Sequence, residues 1–115
     1  MPLLSCRTNQ SMDQNQQNTL LKKLSAITAK ETGKPEQYVM VEILSANMLM
    51  GGSHEATACV DARGIGGFDP GMNRRLSENI CRTLQETLKI SPDRVYITFT
   101  PYKASDWGWN GNTFG

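Results

Sequence analysis

The chain has 115 residues, room for one hydrophobic core and not two, so a single domain spanning 1–115 is expected. Twelve Lys and Arg against eleven Asp and Glu leave a formal charge of +1, which gives no electrostatic reason to expect nucleic acid or an anionic membrane as partner. The longest apolar runs are only a few residues, too short for a transmembrane helix, and three cysteines without Cys-x-x-Cys spacing beside one histidine argue against a disulfide framework or a zinc site.

The amino-terminal stretch MPLLSCRTNQ has no basic region, no long hydrophobic run and no small-residue cleavage site, so no conventional secretory signal is expected. Residues 3–9 are short, apolar and compatible with a first strand. Ser11 or Asp13 can cap the helix that follows, in which Leu20, Leu21, Leu24, Ile27 and Thr28 recur at helical spacing and Gly33 is a natural stop. Pro35 prevents continuation, and Tyr38–Leu44 reads as a buried second strand. A turn around Gly51-Gly52 leads to a third strand over 56–62, broken by Gly64-Ile65-Gly66-Gly67. Leu76, Ile80, Leu84 and Leu88, with Cys81 beside them, give a second amphipathic helix. Val95–Thr100 is the fourth strand, which Pro101 is expected to close.

The order is therefore β-α-β twice, with pseudo-repeats over about 2–57 and 58–115. Pro35-Glu36-Gln37-Tyr38-Val39-Met40 answers Pro92-Asp93-Arg94-Val95-Tyr96-Ile97 at an offset of 57 residues. Right-handed crossovers place both helices on one face of a four-stranded sheet, a two-layer α+β fold. The second strand is apolar on both sides, and no further layer remains in the sequence to cover the sheet's other face. Self-association follows as an expectation, without a subunit number.

Pro2 is the most suggestive residue for chemistry. Removal of the initiator methionine would expose a secondary amine, whose reference pKa of about 8 falls when it is desolvated or set beside a cation. Such an amine can take a proton from a carbon next to a carbonyl and return it elsewhere. Alone, a proline at position 2 is a weak signal.

Its surroundings add to it. Met1-Pro2-Leu3, Thr32-Gly33-Lys34-Pro35, Gly51-Gly52-Ser53, Ile65-Gly66, Asn73-Arg74, Ile90-Ser91-Pro92-Asp93-Arg94-Val95-Tyr96-Ile97 and the ending Gly108-Trp109-Asn110-(Gly111-Asn112)-Thr113-Phe114 all resemble the macrophage migration inhibitory factor family, in order and nearly end to end. The resemblance implies a homotrimer whose sheets line a central channel, with active sites at subunit interfaces. It implies keto–enol tautomerisation of phenylpyruvate-like α-keto acids and of dopachrome derivatives, without cofactor or metal. Carried over by position, Pro2 is the general base. Lys34 and the backbone N–H of Ile65 hold the substrate carboxylate, and Tyr96 comes from the adjoining subunit. The alternative implied function is a cytokine-like, secreted binding protein with a vestigial pocket, whose partner would be a protein receptor. Localisation is expected to be cytoplasmic, or secreted without a signal peptide.

Each residue has a plainer role open to it. Lys34 can complement the dipole of the helix that Gly33 ends. Tyr96 can be an interface aromatic, and Ile65 a core plug at a bend. Trp107, Trp109 and Phe114 are either ordinary packing or the apolar wall that desolvates Pro2, while Arg63 and His54 read as solvated residues. The chain also departs from the family pattern. Human-type members carry a Cys-x-x-Cys pair credited with thiol exchange, whereas this chain reads Thr57-Ala58-Cys59-Val60, so that activity is not expected. Thr98 replaces the usual Asn and Trp107 the usual Val, changes that remove an amide donor and add bulk at the pocket mouth, so turnover of phenylpyruvate is expected to be reduced.

Overall fold

Two capped helices packed on four strands make up the fold. The computed structural model describes residues 2–115, and Met1, on whose removal the chemistry of Pro2 depends, lies outside the described residues. Strand β1 (Leu3–Thr8) leads into α1 (Gln14–Thr32). Of the two candidate caps Asp13 is used: its carboxylate accepts from the Gln16 N–H at 2.8 Å, and the Gln16 side chain accepts from the Asp13 N–H at 3.1 Å. This reciprocal box satisfies donors that the first helical turn leaves free. Gly33 ends the helix at φ 70°, as expected, with its N–H donating to the Ala29 carbonyl at 3.0 Å. Pro35 then directs Glu36–Tyr38 into a 3-10 turn, so β2 (Met40–Ser45) begins two residues later than the sequence suggested.

In the second half, β3 (Ala58–Ile65) and β4 (Val95–Tyr102) flank α2 (Pro70–Leu88). The third strand is shifted from the expected 56–62: it passes through Gly64, and the break falls at Gly66 and Gly67, with φ of 57° and 77°. The fourth strand does not close at Pro101. The Gly66 N–H donates to the Tyr102 carbonyl at 3.0 Å, so Tyr102 is directed at β3 and Pro101, one residue earlier, at the sheet's outer edge. An N–H missing from that side breaks no ladder bond, which is why an edge strand accepts proline.

The sheet order is β2-β1-β3-β4. Strand β1 is parallel to β2 and antiparallel to β3, and β3 is parallel to β4. Each half is thus the expected β-α-β unit, and Pro92–Arg94 repeats the 3-10 turn of Glu36–Tyr38. Two short strands unforeseen in the sequence, β5 (Gly108–Trp109) and β6 (Asn112–Thr113), form a terminal hairpin. Its turn is Asn110-Gly111, both at positive φ, the pairing that a tight hairpin favours.

One face of the sheet carries the core. Leu4, Cys6, Val60 and Ala62 meet Leu20 and Leu24 of α1 and Leu76, Ile80 and Leu84 of α2. The opposite face is uncovered, and it is not uniformly apolar. Met40 and Tyr96 stand about two-thirds exposed at its margins (65% and 66%). Between them runs a polar row across all four strands: Glu42, Ser5, Asp61 and Thr98 are register partners in sequence. Ser5 donates to Glu42 at 2.5 Å, Arg7 pairs with Asp61 at 2.8 Å, and the Thr98 hydroxyl donates to the other Asp61 oxygen. These donors, Thr98 first and then Arg7, hold the Asp61 carboxyl below the usual carboxylate range.

Two measurements check this architecture. Ile80→Ala, which hollows the helix–sheet interface, is expected to lower unfolding free energy by about 2–5 kcal/mol in urea titration. For Asp61, the unfolded carboxyl with its pKa near ~3.9 binds more protons than the folded one between the two values, so stability there rises with pH. Its contribution is complete above about pH 5 and is lost as pH falls through the folded value. Thr98→Val is therefore expected to lower the urea midpoint at pH 7, with the gap to the parent protein closing as pH falls through the folded value.

Candidate functional site

Pro2 immediately precedes β1, in the middle of the sheet. It is buried, and its carbonyl accepts from the Met40 N–H at 3.0 Å, so the start of β2 holds it in place. Two hollows meet there, and Pro2 alone among the described residues lines both.

The first hollow is small, about 20 Å³, and is closed by Lys34, Ile65, Phe68 and Met72. Lys34 reaches it because Gly33 turns the chain out of α1 just short of β2. Ile65 is the last residue of β3. Alternation along that strand, set by the Gly66–Tyr102 bond, directs the Ile65 N–H away from β4 to the β1 side. Strand β1 begins at Leu3, opposite Arg63, so this N–H points past the end of β1, next to Pro2.

The second hollow is larger, about 470 Å³, and its walls are largely aromatic. Trp109 stacks on Phe114 with ring centroids 5.6 Å apart and meets Tyr38 edge-on, also at 5.6 Å. Trp107 meets Tyr102 edge-on at 5.5 Å. The terminal hairpin creates this wall: its tight turn folds Phe114 back, and the Phe114 N–H donates to the Trp107 carbonyl at 3.2 Å. A cavity of this size with aromatic walls suits a small aryl compound.

Six of the eight residues singled out in the sequence therefore converge: Pro2, Lys34, Ile65, Trp107, Trp109 and Phe114. Tyr96 and Thr98 do not join them within one chain. Tyr96 lies opposite Cys59, four residues along β3 from Arg63, which is about 13 Å at the rise of a strand. It lines a separate hollow with Met50 and Arg94. The Thr98 hydroxyl is engaged by Asp61.

Three residues that the sequence did not single out line the aromatic hollow: Tyr38, Tyr102 and Arg63. Arg63 is a correction. It is half-buried on the uncovered face rather than freely solvated, and the clue was its position two residues before Ile65, which puts both on one side of β3. His54, by contrast, is exposed. The cysteines have no place in the site. Cys6 faces the core, where burial pushes its thiol up to about 11, whereas Cys59 points from the opposite face of the sheet. Among the described residues no three His, Cys, Asp or Glu side chains group to hold a metal ion, and no helix is long and apolar enough to cross a membrane.

The family model described as macrophage migration inhibitory factor matches residues 1–115. A macrophage migration inhibitory factor homolog of Brugia malayi is 37% identical, with 100% of both chains covered. The macrophage migration inhibitory factor of Meriones unguiculatus is 38% identical over 83% of this chain and 84% of its own length. The crystal structure of a homologue from Prochlorococcus marinus superposes with a TM-score of 0.93 at 36% identity, covering 98% of this chain and 99% of the other.

Proposed function

The chain belongs to the macrophage migration inhibitory factor family, within the tautomerase superfamily, and we propose that it is a keto–enol tautomerase of phenylpyruvate-like α-keto acids with the Pro2 nitrogen as its base. The observation that carries this reading is the position of Pro2, buried where a cation-bearing hollow and an aromatic hollow meet. With the initiator methionine removed, the nitrogen is a secondary amine. Burial and the Lys34 ammonium both disfavour its charged form, so its pKa falls below the ordinary α-amino value of about 8 and the neutral base is present near pH 7.

In the reaction, Lys34 and the Ile65 N–H hold the substrate carboxylate, and the aryl group lies in the aromatic hollow. The amine takes a proton from the carbon next to the ketone. The C–H electron pair becomes the new C=C bond, the carbonyl pair moves onto oxygen, and protonation there completes the enol. The reverse path returns the proton to carbon. No redox partner or cofactor is needed, since atoms and electrons balance within the substrate and the amine.

The uncovered sheet face supports a homotrimer, its sheets facing inward, as the working assembly. Met40, Leu44 and Tyr96 are large apolar side chains exposed on that face, and Leu49 is exposed in the nearby turn. A neighbouring copy also supplies what one chain lacks: Tyr96 lies far from Pro2 of its own chain, and its 66% exposure leaves it free to close the site of another.

The test is phenylpyruvate enolisation by protein whose intact mass shows that Met1 is removed. Pro2→Ala is expected to lower kcat/KM by about 100-fold or more. The parent's rate is expected to fall on the acid side, as the amine is protonated, with an apparent pKa below about 8. Equal rates for parent and variant would end this reading.

A further inference from the structure

Among the described residues Arg63 is the only positively charged one lining the aromatic hollow; it feels the Asp61 carboxylate through space but makes no direct pair with it. Its closest acidic neighbour along the strand on the same face is Asp61, but both Asp61 oxygens are taken, one by Arg7 at 2.8 Å and the other by the Thr98 hydroxyl. Asp106 also lines the hollow, yet it forms no ion pair with Arg63. Among the described residues Arg63 has no hydrogen-bond or ion-pair partner, although it is half-buried. A guanidinium in that state presents five planar N–H donors to the cavity and favours a carboxylate, which it can meet with two parallel bonds.

Its position relative to Lys34 gives this charge a direction. Lys34 lines one hollow and Arg63 the other, with Pro2 between them. Arg63 and Ile65 are two residues apart on the same face of β3, a separation of about 7 Å. A substrate whose keto-acid end sits at Lys34 and Ile65 therefore extends its other end past Pro2 along the aromatic wall toward Arg63. We propose that Arg63 is a specificity-determining residue that receives an acidic group at the far end of the substrate, so that the site selects aryl α-keto acids carrying a second carboxylate. The substrate's orientation rests on the tautomerase reading above; the anion-holding role of Arg63 does not depend on turnover.

The experiment has a binding arm and a kinetic arm. The chain's two tryptophans both line this hollow, so their fluorescence reports occupancy directly. In the binding arm, 4-carboxycinnamate is titrated against cinnamate as non-reacting probes. The parent protein is expected to bind the diacid about tenfold or more tighter, as a charge-assisted bidentate contact implies. Arg63→Gln is expected to bring the ratio near one, and Arg63→Lys to keep part of it. In the kinetic arm, the ratio of kcat/KM for 4-carboxyphenylpyruvate to that for phenylpyruvate follows the same order, with the difference in KM.

A parent ratio near one, a ratio that survives in Arg63→Gln, or no quenching by either probe overturns the proposal. So does a lowered unfolding midpoint in Arg63→Gln with the ratio intact, which makes the residue a structural contact. Selective binding without enolisation sinks the tautomerase reading alone, whereas enolisation without selectivity sinks only the role given to Arg63.

Discussion

The amino-terminal strand occupies the middle of the sheet, and the rest of the structure depends on that placement. Strand β1 is bonded on both sides, to β2 in parallel and β3 in antiparallel register, and Leu4 and Cys6 are fully buried beneath the helices. A strand so enclosed cannot shift by one residue without turning its apolar side chains out of the core. The residue that immediately precedes it is held by the same pairing. Pro2 is tied to Met40 through its carbonyl, faces the end of β3, and sits beside the loop by which Gly33 leaves α1. The base proposed for Pro2 needs that fixity, because its reach to a carbon acid is short and directional.

The uncovered face obeys the same alternation and assigns its charges unequally. Asp61 spends both oxygens on Arg7 and Thr98, so Arg7 is paired directly, whereas Arg63 meets that carboxylate only through space. The pleat that sends Leu4 and Cys6 into the core sends Leu3, Ser5 and Arg7 to the other side, and does likewise with Cys59, Asp61, Arg63 and Ile65 of β3. Asp61, held in the polar network, and Arg63, which lines the aromatic hollow, thus stand two residues apart on the same face. The margins of this face carry exposed apolar residues, and its centre carries a polar network.

Much of this was legible along the chain. Helical spacing of Leu76, Ile80, Leu84 and Leu88 named the buried face of α2, and Gly33 marked the end of α1, because these signals act within a few residues of one another. The errors fell where a distant partner decides. Pro101 reads as a strand terminus until the sheet order shows its nitrogen facing an open edge. The pairing of the Thr98 hydroxyl with Asp61, 37 positions earlier, likewise had no local mark. The Asn110-Gly111 hairpin had a local signal that the reading of the sequence did not use, and it builds the wall on which Trp109 and Phe114 stack.

The sequence by itself determined the two β-α-β units, the faces of their helices, the family and the candidate proline, since periodicity, turn chemistry and motif spacing are properties of neighbouring residues. Only the tertiary structure decided which side chains share a cavity. Strand order and register set Pro2 between the hollow of Lys34 and that of Arg63, from three parts of the chain, and they hold Tyr96 apart at the far end of the same sheet. Those distances arise from hydrogen-bond pairing between strands remote in sequence, for which a single chain of letters carries no local mark.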